Sequence, residues 1–421
     1  MHQPVWVISE IYYPDENGTG HILTRIAEGL AQTRPVRVLC GQPMNSARGV
    51  RAPRHEVRNN VEIERCSSTV LDKNNLALRL INALTISASV FFKTLLQVQP
   101  GQTVMVVTSP PLLPYVVAVA CRLRRTPFVL IAHDIYPEAL TATGLLGPKH
   151  PIVRLMGAIN RQLFLKASHI CVLGRDMEQL LLARAPEAQD RISLIPNWGD
   201  TDIISPEPKS ENKLLAELGL QEKFVVLYAG NLGRTHAVDV LVEAATQLQD
   251  DNIHFLFVGT GARKGWLDNA VAERHLKNVT VLGSRPRSEQ QTFLNAADVS
   301  VVSFVPGMAG ISVPSRMYNL MSAGKPIVAV CDAHSELAQV VQEEHAGWVV
   351  EPDCVPQLVA TLRGAARNPE MVAEFGRNAR AAVEEKYELG HALDQYHTLL
   401  CQLADDIHPG AIPAAASAQE Q

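Results

Sequence analysis

The chain has 421 residues, 47% of them hydrophobic and 19% charged, a globular composition long enough to fill two cores. A formal net charge of -5 argues against a nucleic-acid binder acting through bulk positive charge. Seven cysteines are scattered without a CxxC pair, which offers no zinc site and reads as a reduced, cytosolic pattern.

The N-terminus enters a strand pattern at once, without a secretory signal. In the first half the apolar periodicity predicts strands at 4–9, 36–40, 104–108, 128–132, 170–173 and 192–195. Helices are predicted between them at 20–32, 76–97, 114–124, 152–167 and 176–185. No stretch reads as a membrane span. Residues 80–92 are uncharged but short, and 103–121 is broken by Pro110, Pro111 and Pro114.

A polar, proline-bearing stretch then reads as a linker at 204–213. A second series of strands follows at 224–228, 253–258, 279–282, 299–304, 327–330 and 347–350. Its helices fall at 237–248, 264–274, 288–296, 314–323 and 335–343. Beyond Pro356 the chain reads as helical to about residue 403. This α/β alternation predicts two doubly wound parallel-sheet domains, 1–203 and 214–385, facing a cleft. Residues 386–407 are expected to form a helix packing back on the first domain, and 408–421 to be a disordered tail.

Three stretches carry candidate chemistry. Gly18 and Gly20 follow the first strand, where small residues let a ligand approach backbone; the spacing is not GxGxxG, which weakens a nicotinamide reading. His133 and Asp134 end a buried strand, at the carboxyl edge where open α/β sheets bind ligands. In GMAGISVPSRMYNLMSAGKPIVAV (307–330), the Gly307/Gly310 loop is expected to present unpaired N–H groups at a helix start. Arg316 in the first turn would add a charged fork for a diphosphate. Asp200-Thr201-Asp202 is formally a DxD, but it opens the linker and is read as a decoy for a metal motif.

The 307–330 stretch resembles the donor-site helix of retaining glycosyltransferases of family 4, which have the GT-B fold. It is most similar to members that assemble capsular, colanic-acid and O-antigen polysaccharides. Pro314-Ser315-Arg316, Tyr318-Asn319 and Ser322-Ala323-Gly324-Lys325-Pro326 carry the resemblance. The family's two glutamates, eight positions apart, are here Ile311 and Asn319. Asn319 can still bond a ribose hydroxyl; Ile311 cannot bond a sugar.

The same resemblance implies a reaction-centre role for His133. More loosely, it places Asp134, Glu138 and Tyr13 toward the acceptor. Leu227 to Arg234 matches the donor loop through Gly230 and Asn231. Asn231 and His236 stand where many members have basic residues, so Arg234 and Arg316 become the substitutes. Gly259 and Gly261 resemble the turn near the nucleotide, and Arg285 the loop around the base. Gly310, Ser312 and Ser315 complete the implied donor set.

The implied activity is retaining, metal-independent sugar transfer without a cofactor, from a UDP- or GDP-sugar to a polyprenyl-diphosphate or saccharide acceptor. A nucleotide-sugar 2-epimerase and a non-catalytic nucleotide-sugar-binding scaffold are the alternatives. The expected location is cytoplasmic, with peripheral inner-membrane contact through 76–97 and the Arg122/Arg124/Arg125 cluster. A core-facing helix with a solvated basic end explains that stretch as well.

Overall fold

The computed structural model describes residues 3–44, 49–71 and 76–407; the tail reading at 408–421 lies outside them. The first half runs β1 (Val5–Ile8), α1 (Gly18–Leu30), β2 (Val36–Cys40), β3 (His55–Arg58), β4 (Val61–Arg65), α2 (Leu76–Gln97) and β5 (Thr103–Val107). It continues with α3 (Leu113–Arg124), β6 (Phe128–Ala132), α4 (Glu138–Ala142), α5 (Pro151–Lys166), β7 (His169–Val172), α6 (Arg175–Arg184) and β8 (Ile192–Leu194). These eight strands form one sheet in the order β3-β4-β2-β1-β5-β6-β7-β8, parallel except for the β3–β4 pair. Continuous apolar runs such as β5 and β6 are buried on both faces, as a helix-covered parallel sheet requires.

The second half has α7 (Lys213–Leu218), β9 (Phe224–Ala229), α8 (Val238–Gln247), β10 (Ile253–Val258), α9 (Lys264–Glu273), β11 (Val279–Leu282) and α10 (Gln290–Asn295). Then come β12 (Val299–Ser303), α11 (Arg316–Ser322), β13 (Ile327–Val330), α12 (Glu336–Glu343), β14 (Gly347–Val350), α13 (Val355–Arg367), α14 (Pro369–Lys386) and α15 (Leu389–Ile407). Its six strands are all parallel, in the order β11-β10-β9-β12-β13-β14.

One buried cluster crosses the domain seam, running from Trp6 and Leu130 in the first domain through Ile311 and Met317 in the second. The chain passes between the domains twice, side by side. Gly199 donates its N–H to the Tyr387 carbonyl at 2.9 Å and pairs with Glu388 as an isolated bridge. Helix α15 then shares the cluster of β1, β2 and α1, burying Ala392, Tyr396 and Leu400 there.

Two features depart from the sequence reading. The β3–β4 ribbon departs because its outer strand, at the sheet edge, alternates exposed and half-buried residues and has a single apolar side chain, Val57, which is exposed. Its turn residues, Asn59 and Asn60, both have positive φ (46° and 65°), the geometry of a two-residue hairpin. The second concerns the membrane-span reading. Helix α2 forms over the predicted 76–97, and residues 77–97 are long and apolar enough to cross a membrane by length and composition. The shorter window of the sequence reading stopped at Arg79 and Lys93. In the fold α2 lies on the domain, with Ile86 and Val90 in the core.

Candidate active site

Buried backbone must find partners, and at the seam each domain supplies them for the other. Asp134, following β6, forms an antiparallel bridge with Ser312, and the Ile135 N–H donates to the Ile311 carbonyl at 2.9 Å. Thr108 Oγ1 accepts the N–H groups of both His133 and Asp134 at 3.1 Å, fixing the turn that ends β6. Across the seam, a Cβ on Gly18 would lie 3.5 Å from Ser315 Oγ. Gly18, His133, Asp134, Ser312, Ser315 and Arg316 are thus gathered at one seam.

The electrostatics there separate the roles. His133 is buried, and burial pushes its imidazole down to about 4, so it is neutral at pH 7. Its Nε2 is buried without a hydrogen-bond partner. Burial raises the Asp134 carboxyl above its ordinary value, and a hydrogen bond with Ser312 opposes that.

Arg316 sits over the Tyr228 ring, 4.8 Å from its centroid, with Nη1 3.5 Å from the Ala229 carbonyl and Nη2 buried without a partner. His236 packs edge-on against Tyr228 and stacks on Phe304. Burial, then the Arg316 charge, pushes its imidazole well below the usual range. A neutral His236 therefore leaves Arg316 as the cation of this corner.

The glycine-loop expectation needs correction. The loop N–H groups are paired: Gly307 and Ala309 donate to Asp332, and Gly310 donates to Asp176 Oδ2 at 2.7 Å. Helix α11 is only seven residues long, with a correspondingly small dipole. The side chain of Arg316, rather than the loop backbone, remains to meet an anion. Helix α1 likewise begins at Gly18. The Gly20 N–H is capped by Asn17 Oδ1 at 3.0 Å, and a Cβ there would meet the Asp15 carbonyl at 2.3 Å, so Gly20 is needed for packing.

Other candidates also find protein partners. Asn319 is buried and its Oδ1 accepts the Asp200 N–H at 2.9 Å, which commits one of its two oxygen lone pairs to the protein. Glu138 pairs with Arg184, and Arg285 with Glu289. Tyr13 is covered by Arg58, 4.1 Å from its ring centroid, toward the β3–β4 ribbon. Gly230, Asn231, Gly259 and Gly261 do converge: a Cβ on Gly259 would lie 1.9 Å from the Gly230 carbonyl, and one on Gly261 would lie 2.6 Å from Asn231 Oδ1. Arg234 is exposed and pairs with no carboxylate among the described residues.

Asp200 is the residue the sequence undervalued. Its carboxylate pairs with His21 of α1 at 3.1 Å and with Arg287 beyond β11, while its N–H is held by Asn319 of α11. Burial alone would raise this carboxyl, but the His21 and Arg287 interactions outweigh it and hold the group well below the usual range. The DxD pattern did mark this position. Its use as an ionic hub between the domains is set by tertiary contacts, and Asp202 of the same pattern is exposed.

Residues 17–198 match the family model of the glycosyl transferase 4-like domain, and residues 210–382 that of glycosyl transferases group 1. Both halves of the chain therefore carry glycosyltransferase domains.

Among relatives of this glycosyltransferase is the "Putative colanic acid biosynthesis glycosyl transferase WcaI" of Escherichia coli (strain K12). It is 25% identical over 379 residues, covering 85% of this chain and 91% of that one. The "Probable glycosyltransferase WbjE" of Pseudomonas aeruginosa is 28% identical over 226 residues, 54% of this chain and little more than half (56%) of that relative's length. Among solved structures, sucrose-phosphate synthase (tll1590) from Thermosynechococcus elongatus superposes with a TM-score of 0.76 at 18% identity, covering 96% of this chain and 99% of that one. Anabaena Alr3699/HepE in complex with UDP and glucose gives 0.71 at 17%, covering 95% and 100%. These likenesses show the GT-B fold.

Proposed function

We propose that this glycosyltransferase moves a sugar from a UDP- or GDP-sugar to a lipid-linked or saccharide acceptor, with retention at the anomeric carbon, in bacterial cell-surface polysaccharide synthesis. The observation that carries the reading is a pair of buried polar atoms without protein partners, His133 Nε2 and Arg316 Nη2. One comes from each domain, and they flank the Asp134–Ser312 bridge. Buried polar groups need partners, and a ligand held between the domains would supply both.

A guanidinium suits the diphosphate that departs with the nucleotide, and a fixed positive charge at a developing anion lowers the barrier to its departure. His133, neutral at pH 7, would orient the sugar through hydrogen bonds rather than carry charge. The scheme requires no metal. WcaI and the UDP complex of HepE support the polysaccharide and nucleotide parts of the reading by their names. The acceptor side calls for a cytoplasmic enzyme working at the inner face of a membrane.

Calorimetric titration with UDP, GDP, ADP and CMP, each with magnesium and with EDTA, tests the donor site. Tight, EDTA-insensitive binding of one diphosphate supports it. Conversion of the matching nucleotide-sugar without an acceptor would favour the epimerase reading, and binding without turnover would favour a scaffold.

A further inference from the structure

Residues 133–137 link β6 to α4 outside any regular strand or helix, so their backbone must be held one group at a time. Thr108 holds the N–H groups of His133 and Asp134, and the Ile311 carbonyl of the second domain holds that of Ile135. A side chain holds the far end. Asn160 of α5 donates its amide N–H to the Tyr136 carbonyl, and its Oδ1 accepts the hydroxyl of Tyr115 on α3.

Asn160 is 7% exposed and shares a helix face with Leu163 and Phe164, three and four residues on, both in the seam cluster. A buried amide on such a face costs stability unless it is hydrogen-bonded, and an apolar residue would fill the place without that requirement. Tyr115 meets the requirement. Burial, then the charge of Glu138, pushes its phenol up to about 12, so the hydroxyl keeps its proton and donates at neutral pH. Thr108, Tyr115, Asp134, Tyr136 and Asn160 line one cavity of about 10 Å³, room for a single water at most. The polar chain is thus packed directly against the segment that carries His133 and Asp134.

We infer that Tyr115 and Asn160 are positioning residues of the reaction centre: by fixing the Tyr136 carbonyl they set the path of residues 133–136, and with it the direction of the His133 imidazole and the Asp134 carboxyl. Thr108 fixes one end of the segment and the Tyr115–Asn160 pair the other. Only Asp134 and Ile135 stand between His133 and Tyr136, so a shift at one end reaches the other. That the segment serves sugar transfer rests on the proposed function; that these side chains restrain it does not.

The test combines amide hydrogen exchange with turnover in Tyr115→Phe, Asn160→Leu, their double variant, Thr108→Val and Thr108→Ser. Exchange in a peptide spanning residues 133–142 should quicken in Asn160→Leu and Thr108→Val, while the second domain exchanges as in wild type. Turnover is read as release of nucleoside diphosphate from UDP-glucose and from GDP-mannose. Its kcat should fall roughly 10- to 100-fold in both variants, the cost of misplacing a reacting group by about an ångström. Affinity for UDP or GDP should persist, because Arg316 lies on the second domain. Thr108→Ser keeps the hydroxyl and should recover most of the loss. Tyr115→Phe removes one hydroxyl from a half-buried ring, so it should fold as wild type does and still lower kcat. The double variant should be no worse than Asn160→Leu alone, since the hydroxyl acts only through the amide. Additive losses, exchange that quickens across the whole chain, or a lowered melting temperature with exchange and kcat unchanged would overturn the proposal. Faster exchange confined to 133–142, in a protein that binds neither UDP nor GDP, would uphold the restraint and sink the reaction-centre reading, which keeps the two apart.

Discussion

The carboxylate of Asp176, at the start of α6, crosses the domain seam to accept the backbone N–H of Gly310 at 2.7 Å. The same oxygen takes the N–H of Glu336 at 2.9 Å, and the other takes Met177 at 2.7 Å. Gly310 has φ of +75°, and a Cβ there would meet the Asp176 carbonyl at 2.7 Å, so the approach requires glycine. One buried side chain thus fixes the loop that leads into α11 and Arg316.

Replacing Asp176 by Ala leaves two interdomain N–H groups buried and unpaired, at a cost of about 2–4 kcal/mol. The midpoint of chemical denaturation should fall accordingly, and nucleotide affinity should fall with it as the loop loosens. An unchanged midpoint would show that the seam does not depend on this carboxylate.

Arg316→Ala should weaken binding of the preferred nucleoside diphosphate by roughly 10- to 100-fold, the span of one or two charge-assisted hydrogen bonds. Arg316→Lys should recover only part of it, because the ammonium lacks the planar fork. Gly230→Ala is expected to mimic the loss: its φ is +143°, and the new methyl would sit 2.6 Å from Arg316 Nη1. Calorimetry on the three variants decides this, and full affinity in Arg316→Ala would remove the residue from the donor site.

The His133 imidazole titrates near 4 in the fold and near the ordinary 6.5 in the unfolded chain. Between those values the unfolded chain binds a proton that the folded chain excludes, so stability falls as pH drops from 6.5 toward 4. The share from His133 is about 3 kcal/mol at the acid end. His254, also pushed down to about 4 by burial, adds to the slope in the same direction. His133→Asn should flatten the curve of unfolding free energy between pH 7 and pH 4.5; the same slope in wild type and variant would contradict a buried, neutral imidazole.

Tyr396 of α15 is 1% exposed inside the cluster of the first domain. Truncating it to alanine should cost about 3–5 kcal/mol. Limited proteolysis should then release the first domain's core along with the C-terminal helix, even though α15 follows the second domain in sequence. Loss confined to the second domain would refute that packing.

Much of the architecture is written locally. Apolar runs of four to six residues, spaced by amphipathic helical patterns, specify a buried parallel sheet wherever they occur. The alternation that marks 128–132 or 327–330 therefore needs no knowledge of the partner strand. The order of Gly230, Gly259, Gly310 and Arg316 along the chain was legible for the same reason: each ends or follows such a run. The β3–β4 ribbon was not, because an edge strand of charged residues has no apolar run to announce it.

What the sequence could not decide was which polar groups would find each other. Asp200 meets His21 and Arg287, 179 and 87 residues away, and Asp176 meets Gly310 134 residues on. Ile311 is buried in the core at the seam, and its carbonyl accepts the Ile135 N–H of the first domain. No spacing rule encodes such pairs. They follow from the burial of backbone at a domain boundary, where every N–H excluded from water must find an acceptor, and only the packed structure shows which carboxylate is within reach.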